Sequence, residues 1–157
     1  MSEHQDRSQL RFILEQVCDG VLELHHIGFT HRTLEPAHVV LNLAPLHVQL
    51  ISFSNAVPCS QETKYLAKRA PKSVPWLREL VDGATQWDAL CIGQLILILE
   101  GAIPAPAPVQ KFELLRERAS KYVEEEHRCE NLKLIVKSTI LVSSVEEVMT
   151  VEMIKEQ

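Results

Sequence analysis

The sequence predicts a mainly α fold of the α+β class, carrying one small β-hairpin. Three observations lead there. Leu10, Ile13, Leu14, Val17, Val21 and Leu24 recur at spacings of three and four, the period of an amphipathic helix. Ala89 to Leu99 is an apolar run broken only by Gln94, too short to span a bilayer and suited to a helix buried on all sides. Two short aliphatic runs, Val39–Leu41 and Val48–Ile51, flank a segment that contains Pro45, as the strands of a hairpin flank their turn.

Taken in order, the first helix is expected to begin at Ser8 as N-cap and to stop at Gly28 as the residue after the cap. Residues 1–7 are polar and expected to be flexible. The hairpin follows, with Asn42 to His47 as its turn. Pro58 to Pro75 is polar and proline-marked and reads as a long surface loop. Trp76 to Val81 reads as one short helix, and Asp88 to Glu100 as the apolar one, ended by Gly101. Ala105-Pro106-Ala107-Pro108 is a stiff, extended spacer. Phe112, Leu115, Ala119 and Tyr122 mark a further helix. Leu132–Leu141 fits a helix or a strand. Val145–Ile154 reads as the last helix, with Ser144 as N-cap.

The 157 residues fit a single domain spanning 1–157. A formal charge of -5 gives no bulk pull toward nucleic acid or an anionic membrane. Cys18, Cys59, Cys91 and Cys129 are widely spread with no C-x-x-C, which argues against a zinc knuckle or redox pair. Four reduced thiols and the lack of an apolar leader lead to the expectation of an intracellular protein, cytoplasmic or nuclear.

The motif-bearing stretch is His31-Arg32-Thr33-Leu34-Glu35-Pro36-Ala37-His38-Val39-Val40-Leu41. It resembles the protein-kinase catalytic loop, H-R-D-L-K-P-x-N followed by an apolar strand. Upstream, Leu24-His25-His26-Ile27-Gly28-Phe29-Thr30-His31-Arg32 resembles the L-H-x-x-G-x-x-H-R that leads into that loop. Leu50-Ile51-Ser52-Phe53-Ser54 resembles L-I-D-F-G, Val74-Pro75-Trp76 falls where A-P-E would stand, and Asp88-Ala89-Leu90-Cys91-Ile92-Gly93 resembles D-x-W-S-x-G. The resemblance covers nearly the whole chain. It implies a protein-kinase C-lobe-like helical domain, with the hairpin beside a degenerate catalytic loop. The Gly-rich loop and strand lysine of a kinase N-lobe have no counterpart: Gly20, Gly28, Gly83, Gly93 and Gly101 are not clustered.

Within that frame the reactive positions are substituted. Phosphoryl transfer needs a carboxylate near the attacking hydroxyl and metal ions on the phosphates. Thr33 stands at the base position, and Ser52 and His38 stand where the metal-holding carboxylate and amide belong. Glu35 brings a negative charge where a lysine would face phosphate, and Ser54 replaces the pivot glycine. The residues that form a stacked structural spine in kinases are kept: His31, Phe53 and Asp88. Asp88 is expected to accept hydrogen bonds from backbone N–H groups around His31 and Arg32. The buried ion pair that closes the activation segment is replaced on both sides by apolar residues, Trp76 and, within a residue or two, Val148.

The implied protein is a catalytically inactive pseudokinase fragment acting as a protein-interaction, scaffold or regulatory module. It is expected to lack cofactor and metal, to bind no nucleic acid or membrane, and not to bind ATP. A protein partner or self-association is expected, with Lys64, Lys68, Arg69 and Lys72 as a candidate contact surface. The competing reading is residual nucleotide binding or an atypical phosphotransferase. Clustered His25, His26, His31 and His38 read as structural histidines rather than metal ligands.

Overall fold

The computed structural model describes residues 3–104 and 112–157 and is mainly α with a small β-hairpin. The expected spacer at Ala105–Pro108 lies outside the described residues. Among the described residues the α-helices are α1 (Glu3–His26), α2 (Gln86–Leu99), α3 (Phe112–Glu124), α4 (Glu130–Ile140) and α5 (Val151–Lys155), and the strands are β1 (Phe29–Thr30), β2 (Val39–Leu43), β3 (Leu46–Leu50) and β4 (Val57–Pro58).

Helix α2 is the axis of the core. Ten of its fourteen residues are buried, including Trp87, Ile92, Leu95, Ile96 and Leu97. It packs on α3, α4 and α5, while α1 packs on α5, β1 and β3. Burial on every side explains the near-continuous apolar sequence. Gly93 permits the approach of α4: a Cβ there would fall 2.1 Å from Thr139 Oγ1. The helix ends in a Schellman arrangement, with Ala102 N–H donating to Leu97 O at 2.8 Å and Gly101 N–H to Ile98 O at 3.0 Å. Gly101 holds φ +73°, the left-handed backbone this cap requires.

Helix α1 buries Leu14, Val17, Cys18 and Val21, the stripe its periodicity marks. It starts at Glu3 rather than at Ser8, so Ser8 is interior and the expected flexible lead-in is helical from residue 3. In α3, Phe112, Leu115, Ala119 and Tyr122 are all buried, as their spacing predicts. The ambiguous segment after Cys129 is the helix α4, burying Ile135, Val136, Thr139 and Ile140 on one face.

The hairpin is longer than expected. β2 and β3 pair antiparallel from Val39–Leu50 to Leu43–Leu46, and the turn is reduced to Ala44 and Pro45, joined by a cis peptide bond. A second pairing, Phe29–Pro58 and Thr30–Val57, was not legible in the sequence. Within the expected loop from Pro58 to Pro75, residues Ala67–Arg69 form a 3-10 turn. The short helix expected at Trp76–Val81 is a 3-10 turn over Pro75–Arg78.

The last helix is shorter than the apolar spacing suggested. Met149 N–H donates to Ser138 O of α4 at 2.8 Å, and Ser143 N–H donates to Glu147 Oε2 at 2.8 Å. These bonds take the backbone out of helical register. Helix α5 begins only at Val151, capped by Thr150, whose Oγ1 accepts from Met153 N–H at 3.3 Å. Ser144 is therefore not the cap.

Candidate functional site

Asp88 organises the motif-bearing segment. It sits in the first turn of α2 and is fully buried. Its Oδ2 accepts from His31 N–H at 2.9 Å and its Oδ1 from Arg32 N–H at 2.6 Å. His25, at the end of α1, donates from Nε2 to the same Oδ2 at 2.8 Å. One carboxylate thus ties the end of α1, the His31 loop and the start of α2. Bonds to a charged acceptor are among the stronger ones, and leaving two buried amides unpaired would be costly.

His31 is fully buried and donates from Nε2 to Ile51 O at 3.0 Å. Its ring lies 5.1 Å from that of Phe53, tilted by 57°. His31 therefore touches both Phe53 and Asp88. Phe53 keeps 48% of its surface exposed, so it covers the buried ring on one side and faces outward on the other.

Of the substituted positions, Thr33 and His38 lie beside His31. Thr33 Oγ1 lies 3.5 Å from His31 Nδ1. His38 donates from Nδ1 to Thr33 O at 2.5 Å, and its ring centroid is 6.3 Å from that of His31. Ser52 and Ser54 are exposed, beside Phe53. Glu35 is half-buried. Ser52 and Arg32 hold left-handed backbone, φ 65° and 68°, a conformation that costs a non-glycine residue about 1 kcal/mol or more. Thr33, His38 and Ser52 supply no carboxylate. Among the described residues, no group of three or more His, Cys, Asp and Glu is arranged to hold a metal ion.

Arg32 extends the network away from Asp88. Its Nε donates to Asn55 O at 2.8 Å, and its guanidinium lies 3.6 Å from Asp82. Asp82 in turn accepts from Thr63 Oγ1 at 2.5 Å and from the amides of Tyr65 and Leu66 at 3.0 Å each. Burial works to raise the Asp82 carboxyl, but these three donors and Arg32 outweigh it and hold it below its ordinary value. The segment bearing the cationic cluster is thereby anchored to the His31 loop. Lys64, Lys68, Arg69 and Lys72 are all exposed. Lys64 lies 3.4 Å from Glu79, and Arg69 stacks over the Tyr65 ring at 4.4 Å while bonding its hydroxyl. Asp82 and Asn55 were not singled out from the sequence. The Asp82-Gly83 dipeptide marks a turn, but nothing local links it to an arginine 50 positions earlier.

Trp76 and Val148 are both buried apolar residues, and Trp76 packs edge-on against Phe112 at 6.1 Å. On β2, Val40, Leu41 and Leu43 are 43%, 42% and 78% exposed, Leu41 and Leu43 on one face and Val40 on the other. Among the described residues β2 has a strand partner on one edge only. Beside it lies a groove of about 580 Å³, floored by Leu10, Ile13, Val39, Leu41, Leu95 and Leu99. No described helix is long and apolar enough to cross a membrane. No protein-family model and no curated protein sequence matches this chain.

Proposed function

We propose that this chain is a catalytically inactive, kinase-like C-lobe that works as a protein-interaction, scaffold or regulatory module. The observation that carries the reading is a division within one site. His31 packs on Phe53 and bonds Asp88, while Thr33, His38 and Ser52 offer no carboxylate where transfer chemistry needs carboxylate and metal ligands. The side chains kept are those that hold the backbone, and the side chains lost are those that would touch phosphate.

The surface around this division suits a macromolecular partner. Leu41 and Leu43 share one face of β2, and Leu41 also lines the groove under it; with Val40 on the opposite face and Phe53 nearby in sequence to β3, they leave apolar area exposed of the kind that marks contact sites. The exposed cluster Lys64, Lys68, Arg69 and Lys72 gives a cationic border, held in place through Asp82. Protein binding or self-association at this face follows.

Two measurements test the proposal together. A thermal shift with ATP and magnesium should leave the melting temperature unchanged, because a ligand that binds only the folded state raises it. Affinity capture with the wild-type chain and with Lys68→Glu/Arg69→Glu and Leu43→Asp variants should give partners that the variants lose. A clear ATP-dependent rise, or identical capture by all three proteins, overturns the reading.

A further inference from the structure

We propose that the trough between α1, α2, α4 and α5 binds a single aliphatic chain. It encloses about 320 Å³, within the lower range of small-molecule sites. One wall is the α1 stripe Leu10, Leu14 and Cys18, spaced four residues apart. At 1.5 Å rise per residue that stripe runs about 12 Å, so the trough is elongated. Ile92 and Ile96 of α2 and Ile135 of α4 complete the floor, and all three are buried.

The lining decides the class of ligand. Among the described residues no aromatic ring faces the trough, so nothing offers a stacking surface to a base or flat cofactor. The polar groups at its ends are already engaged. Arg11 pairs with Glu15 at 2.9 Å, Lys155 with Asp19 at 2.5 Å, and the Asn131 amide donates to Gln157 O. Burial first, then the nearby Asp19 carboxylate, push the Cys18 thiol up to about 12, so it is a neutral wall atom. The floor of the trough is elongated and aliphatic and is complementary to a methylene chain, while the charged groups Arg7, Arg11, Glu15 and Lys155 stand along its rim. The two rim ion pairs are exposed and weak, leaving the head group in water. This inference uses none of the degenerate positions and stands apart from the proposed function.

The test is calorimetric titration with decanoate below its micelle concentration and with decanol below its solubility limit, together with amide NMR shifts. Saturable binding of both is expected, with similar affinity, because the tail is what is read. Shifts should concentrate on α1, α4 and α5. Leu132→Trp, on the half-buried wall, should weaken both ligands by about tenfold or more. Ile135→Phe should do the same from the floor, and Leu99→Phe, in the groove under β2, should not. Absence of saturable binding, binding of the acid alone, or loss of affinity with Leu99→Phe instead of Leu132→Trp overturns the proposal.

Discussion

The carboxylate of Asp82 lies 3.6 Å from the guanidinium of Arg32 and at the same time closes the turn at Thr63, Tyr65 and Leu66. One side chain therefore couples the loop after His31 to the segment that carries the exposed lysines. Arg32 is only 11% exposed at its side chain and Asp82 4%, so the pair is largely withdrawn from solvent. Removing one partner of such a pair costs more than removing both.

Asp82→Asn should destabilise the fold by about 2 kcal/mol, read from urea melts with an unchanged m-value. The effect carries a pH signature. The folded-state carboxyl sits below its unfolded value of about 3.9 because the Thr63, Leu66, Tyr65 and Arg32 contacts outweigh burial. Its contribution is therefore complete above that value and is lost as the pH falls through the lower, folded one. The gap between wild type and variant should be constant from neutral pH to about 5 and should narrow below about 4.

Asp88→Ala should be more damaging than Asp82→Asn. It leaves the buried amides of His31 and Arg32 without an acceptor, at about 1–3 kcal/mol each. Asp88→Asn retains one acceptor oxygen and should fall between wild type and alanine. Equal stability of the two variants in chemical denaturation would count against the carboxylate as the organiser of this loop.

Gly93→Ala places a methyl group 2.1 Å from Thr139 Oγ1 and 3.1 Å from its Cβ. Overpacking of this kind costs about 1–3 kcal/mol. Thr139→Ala removes the clashing hydroxyl, so the double variant should be more stable than the sum of the single effects implies. A double-mutant cycle on melting data checks this, and simple additivity would contradict the close approach of α2 and α4.

Cys18 and Cys91 should resist alkylation in the native protein. Burial, then the nearby Asp19 and Asp88 carboxylates respectively, push both thiols up to about 12. At pH 8 roughly one in ten thousand of each is the reactive thiolate. Mass spectrometry after iodoacetamide should find both unmodified in buffer and labelled in urea.

Legibility in the sequence followed the range of the interactions. Helices α1 to α3 carried their own signal, since burial of one face or of all faces leaves a periodic or continuous apolar pattern. The contact of His31 with Phe53 and the grip of Asp88 on the loop were expected only through the resemblance to a known family, not from any local pattern. What local pattern could not supply was set by distant backbone. The β1–β4 pairing joins segments 28 residues apart through two-residue strands too short to show alternation. Val145, Val148, Val151 and Ile154 have helical spacing, yet Met149 N–H is bonded to Ser138 O, and that contact ends the register. The Arg32–Asp82 pair depends on both the loop and the turn being in place, and neither sequence announces the other.

The span of the Asp88 contacts bears on how the chain is made. His31 and Asp88 are 57 positions apart. During synthesis at about 5–20 residues per second, the His31 loop spends several seconds without the carboxylate that pins it. Arg32, whose amide is held by Asp88, has no reason to adopt its left-handed backbone until α2 arrives. Maturation of the motif-bearing loop is thus a late step, gated by the helix whose first turn delivers Asp88. A chain truncated before that helix would carry α1 and the hairpin segments and would lack the carboxylate that pins their central loop.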